Sequence, residues 1–218
     1  MPETTPVARS PIQPSPPVTV EHGWEISARR TDAELRIMDC TPLAKVLVRA
    51  STNGEAARAL SVPFGRAVRD EHGSLVVGSA PGEWLLISAP GTADEVVERL
   101  GSVVDEALVS VFDATHGRAL LRISGQRAAD LLSKVCAIDL SQQIAPNGAA
   151  FRSSVAKVVT DVVRDDRDAP SYLLHCERSS GQYLFDALLD AGGEFGIQVE
   201  GFSVEDSRAG VSAQQAQG

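Results

Sequence analysis

Three stretches of helical period, set among short runs of β-branched and apolar residues, constrain this 218-residue chain more than any other feature. After Thr92, the residues Val96, Val97, Leu100, Val103, Val104 and Ala107 fall on one stripe. Thr92 and Glu95 form a T-x-x-E capping box, a pairing that satisfies orphan amide donors where a helix begins. After Ser124 the stripe is Ala128, Leu131, Leu132, Val135 and Cys136, with Ser124 or Gly125 as the cap. After Ser179 it includes Tyr183, Leu184, Ala187, Leu188 and Ala191. Ser179 and Gln182 make a second capping box there, and Gly192-Gly193 ends the run. A shorter helix from Gly54 to Leu60, capped by Asn53, is expected upstream.

Between these stretches lie runs of strand length bounded by Gly, Pro, Asp or Ser. They are Lys45–Ala50, Leu75–Val77, Glu83–Ser88, Leu108–Phe112, Arg118–Ile123, Val155–Val163 and Tyr172–Cys176. The succession strand–helix–strand–strand–helix–strand then occurs twice. This predicts an α+β fold of two similar halves of antiparallel sheet, with helices packed on one face of each sheet. The repeat reads as architectural, without matching residues between the halves.

The folded region is expected over residues 34–205. Six of the twelve prolines stand in the first 20 residues, so residues 1–33 read as a proline-rich, flexible tail. Residues 206–218, with little to bury, read as a flexible C-terminal tail. No apolar run is long enough to span a membrane, and the first residues lack the apolar core of a signal peptide.

The net charge of −9 argues against a nucleic-acid partner, which needs clustered Lys and Arg to neutralise phosphates. Three cysteines, odd in number and far apart, fit reduced thiols in a cytoplasmic protein better than a disulfide framework. The four histidines show no i, i+4 pairing, so no metal site is expected. No G-x-G-x-x-G, P-loop or G-x-S-x-G is present, and no catalytic residue is indicated.

Two segments stand out as candidates. Asp113-Ala114-Thr115-His116-Gly117-Arg118 reads as a tight connection in which Asp113 caps its own backbone and Gly117 takes a positive φ. Alternatively, His116 and Arg118 offer a switchable donor and a permanent cation to an anionic ligand. Trp84 reads as core packing or as a partner-facing anchor. With so few aromatic residues, Trp24 and Trp84 are the residues to test first at an interface.

An ordered set of short motifs resembles a known family. It runs Leu60-Ser-Val-Pro63, Gly78-x-x-Pro-Gly-Glu-Trp-Leu-Leu86, Val111-Phe-Asp-x-Thr-x-Gly-Arg118 and Ile123-Ser-Gly125-x-x-Ala128-x-x-Leu-Leu132. It continues with Cys136-x-x-Asp-Leu140, Pro146-x-Gly148, Arg152-Ser153 and Glu177-Arg-Ser179-x-x-x-Tyr183-Leu184. Over roughly residues 40–192 the chain resembles the gamma subunits of heterotetrameric sarcosine oxidase, which are similar to the N-terminal part of the glycine-cleavage T protein, an aminomethyltransferase. The Phe112–Arg118 stretch looks like the T protein's Asp-x-Ser-His-Met-Gly loop, without the Met. Cys176-Glu177-Arg178-Ser179 stands where that protein carries Asn-Ala.

The resemblance implies a T-protein-like fold and an accessory, non-catalytic role in a complex that oxidises sarcosine to glycine. The complex makes hydrogen peroxide and passes the one-carbon unit to tetrahydrofolate. It implies direct contact with the alpha subunit, with beta and delta in the same assembly. No cofactor is expected on this chain; FAD, FMN, NAD, tetrahydrofolate and zinc are implied on other subunits. Asp113, His116, Arg118, Trp84 and Trp24 become candidates for the partner interface or for a vestigial ligand loop. The alternative is a stand-alone folate-binding, aminomethyltransferase-like protein.

Overall fold

Glu83-Trp84-Leu85-Leu86-Ile87-Ser88 is apolar on both faces, the pattern of a strand covered on both sides. A computed structural model, which describes residues 6–103 and 108–204, makes it the middle of a sheet. In chain order the elements begin with β1 (Ala8–Arg9), β2 (Val18–Glu21), β3 (Trp24–Ser27), β4 (Arg36–Asp39) and β5 (Ala44–Arg49). Next come α1 (Glu55–Leu60), β6 (Ala67–Arg69), β7 (Leu75–Ala80), β8 (Glu83–Ser88), α2 (Ala93–Val103) and β9 (Ser110–Asp113). The second half holds β10 (Arg118–Ser124), α3 (Ala128–Ser133), β11 (Ala150–Val155), β12 (Val158–Arg164), β13 (Ser171–Glu177), α4 (Gly181–Gly192) and β14 (Gln198–Glu200).

One sheet, ordered β6-β7-β8-β5-β9, is antiparallel throughout. The other, β11-β12-β13-β10-β4-β14, is antiparallel except where β14 runs parallel to β4. The two halves share one succession, strand–helix–three strands–helix–strand, and one sheet order, with β4 slipped between β10 and β14. Each half thus has one strand more than expected. The Val155–Val163 run is a hairpin, not one strand: Ala156 and Lys157 turn it with φ of 47° and 69°, the positive values a two-residue hairpin turn demands.

The halves pack as helices, sheet, sheet, helices. Leu85 and Leu173 point into the layer between the sheets, with Leu47, Val77 and Leu120. Trp84 and Leu86 point the other way, onto Val96 and Leu100 of α2 and Ala56 of α1. Their counterparts Tyr172 and Leu174 meet Leu131 of α3 and Leu184 and Leu188 of α4. Burying each such large side chain is worth roughly 1.5–3 kcal/mol. Helices therefore cover one face of each sheet, as expected.

The helix starts differ in detail from the sequence expectation. The Thr92 hydroxyl donates to the Ala89 carbonyl at 2.8 Å. Gly54, not Asn53, caps α1. No side-chain cap forms at α4; Gln182 instead accepts from the Gln13 amide at 2.7 Å.

That last bond belongs to the largest departure. Within residues 1–33, expected as a flexible tail, β1 and β2 flank β3 in a small third sheet. Trp24 and Ile26, alternate residues of β3, are each 4 % exposed, and Ile12 is 2 % exposed. The proline count masked three apolar anchors spaced to reach the main core. The expected C-terminal tail, and Val104 and Ala107 of the first helical stripe, lie outside the described residues. Among the described residues no helix is long and apolar enough to cross a membrane.

Candidate functional site

The Asp113–Arg118 connection is built from the residues that close it. β9 ends at Asp113, whose carboxylate accepts the Thr115 amide at 2.7 Å, and Gly117 N donates to Ala114 O at 3.0 Å around a single 3-10 turn. Asp113 thus caps its own backbone as expected. Gly117 does not take a positive φ, because it closes this turn and not a left-handed one. The turn is fastened to β5 on both sides: Ala114 N donates to Lys45 O at 2.8 Å, and Lys45 N donates to the buried Thr115 hydroxyl at 3.0 Å.

Three of the five candidate side chains come together here. The His116 ring stacks on Trp24 with centroids 4.8 Å apart and planes 8° from parallel. Trp24, Asp113 and His116 line one open hollow of about 510 Å³ with Ala8, Asp94 and Thr115. Arg118 turns aside and pairs with Glu177, its direct cross-strand neighbour on β13. Trp84 lies elsewhere, 5 % exposed in the core beneath α1 and α2, with its indole N–H donating to Val62 O at 2.8 Å. It is a packing residue.

Sequence reading missed the residues that hold this loop down. Arg178 donates to the His116 carbonyl at 3.4 Å and to the Arg9 carbonyl at 2.6 Å, tying the N-terminal segment to the turn. Beneath them Lys45 is fully buried, its Nζ donating to the carbonyls of Thr41 and Leu43, each at 2.7 Å. Burial pushes its ammonium down to about 7, against the pull of Asp39 and Asp113. Asp39 is raised by burial, opposed by hydrogen bonds from Ser10 and Thr41. The signal was available: a lysine inside the apolar run Ala44–Arg49. With its amine closed behind two carbonyls, it serves the junction and not a ligand.

A second polar group sits on β12 and β13. Asp161 contacts His175 Nδ1 at 3.2 Å and accepts from Arg152 Nε at 2.6 Å. Burial raises the Asp161 carboxyl, but His175 and Arg152 outweigh it and leave the group below its usual range. Burial also lowers His175, with Asp161 opposing, which keeps the imidazole neutral near pH 7. The three cysteines are free and buried, and burial pushes the Cys40 and Cys176 thiols up to about 11. Thiols so raised are poor nucleophiles.

Asp113 is engaged by its own backbone, Arg118 by Glu177, and His116 covers Trp24.

Comparison places these features in a family. The profile of the GCVT N-terminal domain matches residues 65–208. The chain is similar to a chain of the heterotetrameric sarcosine oxidase from Corynebacterium sp. U-96, solved in complex with pyrrole 2-carboxylate. The TM-score is 0.67 and the identity 22 %, over 77 % of this chain and 89 % of that one. It is also similar to the glycine cleavage system aminomethyltransferase T from Bartonella henselae, with a TM-score of 0.66 and 14 % identity. That match covers 88 % of this chain, which spans 57 % of the aminomethyltransferase. Comparison with curated proteins finds no match. The repeated half, the four layers and a profile running over most of the folded region lead to one conclusion: the chain belongs to the GCVT N-terminal domain family.

Proposed function

We propose that this chain is an accessory, non-catalytic subunit of the gamma type in a heterotetrameric sarcosine oxidase. One observation carries the reading: the similarity extends over 89 % of a single chain of such a heterotetramer. The loop agrees with it, since its polar side chains are spent on the fold and not held open for a reaction. In this reading the complex works in the cytoplasm and oxidatively demethylates sarcosine to glycine. It releases hydrogen peroxide and hands the one-carbon unit to tetrahydrofolate. FAD, FMN, NAD, tetrahydrofolate and zinc belong to the other chains, and this one packs directly on the alpha subunit. Its contribution is a rigid surface, built by two sheets locked face to face.

Co-expression with the alpha, beta and delta chains of a heterotetrameric sarcosine oxidase, followed by gel filtration, tests the proposal. Co-elution in one complex is expected; elution as a separate species contradicts it. Calorimetry of the isolated chain with tetrahydrofolate separates the alternative. Saturable micromolar binding there replaces this reading with a free folate-binding protein.

A further inference from the structure

A second hollow lies away from the Asp113–Arg118 loop, and its walls carry a surplus of cations. It measures about 560 Å³, within the range of small-molecule pockets, and is lined by Arg69, Arg99, Arg122, His72, Ser74 and Ser88 among others. Among the described residues, Glu95 on α2 is the one acidic side chain that lines it.

Behind this lining, a single carboxylate is shared by three guanidinium groups. Asp165 accepts from Arg122 Nη2 at 2.7 Å and from Arg69 Nη2 at 3.0 and 3.2 Å, and Arg167 stands 3.8 Å away. Arg122 is only 5 % exposed, and its other terminal nitrogen donates to the Ser171 hydroxyl at 2.6 Å. Burial raises the Asp165 carboxyl, but Arg122 and Arg69 prevail and hold it below its usual range. Arg167 has two buried nitrogens, Nε and Nη2, without a hydrogen-bond acceptor. Burial, then repulsion from Arg122, lowers its guanidinium to about 10. From α2, Arg99 reaches Asp70, the neighbour of Arg69, at 3.3 Å.

Guanidinium groups brought together out of water repel one another unless anions stand between them. Here one carboxylate serves three, in a chain whose net charge is −9. The hollow opens onto two of those three and onto Arg99. The planar fork of arginine matches the paired oxygens of a carboxylate or phosphate. Ser88 Oγ donates to Ser74 Oγ at 2.8 Å, which leaves the Ser74 hydroxyl proton as a neutral donor in the lining.

We propose that this hollow is a binding site for a small oxyanion, a phosphate or carboxylate group held by Arg69, Arg99 and Arg122. The site is independent of the assembly reading, since none of its residues belongs to the loop on which that reading draws. A free protein can carry it as well as a subunit.

Titration calorimetry of the full chain with inorganic phosphate and, separately, with succinate tests the proposal, using chloride at equal ionic strength as the control. Saturable one-to-one binding of phosphate identifies a phosphoryl ligand; saturable binding of succinate alone identifies a carboxylate. Arg69→Gln and Arg99→Gln are each expected to weaken binding by about tenfold or more, the loss of one charge-assisted contact. Arg99 lies outside the Asp165 cluster, so Arg99→Gln keeps the test readable if Arg69→Gln unfolds. Heats no different from chloride for both probes overturn the site, as does binding that Arg99→Gln leaves unchanged.

Discussion

Gly65 and Gly148 face each other across the join between the two halves. The Ala67 amide donates to the Gly148 carbonyl at 2.7 Å, and the Ala150 amide donates to the Gly65 carbonyl at 2.9 Å. Each glycine follows a proline by two residues in the same turn, closed by Arg66 N to Pro63 O and by Ala149 N to Pro146 O. Their φ values are +83° and +79°. A reciprocal pair of hydrogen bonds therefore locks two copies of one turn.

The two glycines are not equally tolerant. A Cβ at Gly148 would lie 2.9 Å from the Ala67 carbonyl oxygen, whereas one at Gly65 would lie 3.6 Å from that of Ala150. Gly65→Ala meets only the left-handed backbone cost, about 1–2 kcal/mol. Gly148→Ala adds overpacking and is expected to cost about 2–4 kcal/mol. Urea denaturation of both variants checks the order, and equal losses contradict it.

The N-terminal segment is part of the fold. Ile12 is 2 % exposed among the side chains of the α3/α4 core. Ile12→Ala is expected to lower stability by about 2–4 kcal/mol, the range for emptying such a site. A change within about 0.5 kcal/mol, as on a free surface, contradicts its placement.

Lys45 sets a pH dependence with a definite sign. Its folded value of about 7 lies below the ordinary 10.5, so between these limits the unfolded chain binds the extra proton. Stability must then rise with pH from 7 towards 8.5, with a slope approaching about 1.4 kcal/mol per unit. Above that window the raised thiols of Cys40 and Cys176, ordinarily at 9.0, act in the opposite sense. Lys45→Met is expected to flatten the rise in urea midpoint between pH 7 and 8.5. An unchanged slope shows that Lys45 does not carry it.

His116 holds Trp24 from the solvent side. His116→Ala removes a stack worth about 0.5–1.5 kcal/mol and is expected to speed amide exchange over Trp24–Ser27, while His116→Phe preserves protection. Exchange that is equal in all three proteins contradicts a fastening role.

Much of this was legible in the chain, and the reasons for the rest are physical. The stripes of α2 and α4 and the apolar run of β8 are direct products of burial on one face or two. The repeat was also written in residues, though sparsely: Pro63-Phe64-Gly65-Arg66-Ala67 against Pro146-Asn147-Gly148-Ala149-Ala150, and Trp84-Leu85-Leu86 against Tyr172-Leu173-Leu174. Only positions with a special backbone or two packed faces persist, so the similarity escapes a reading for motifs. The burial of Trp24 was hidden because its cover comes from distant elements, the His116 turn and the interior between the sheets. The arginine cluster escaped for the same reason, since Arg69, Arg122 and Arg167 meet only where one half packs against the other.

The most direct measurement is sarcosine-dependent hydrogen peroxide production by the complex purified from cells expressing the partner chains with and without this one. An accessory subunit predicts that omission sharply lowers the yield of assembled, active enzyme and that adding the purified chain restores it. Equal yield and equal activity without the chain would contradict the proposed role.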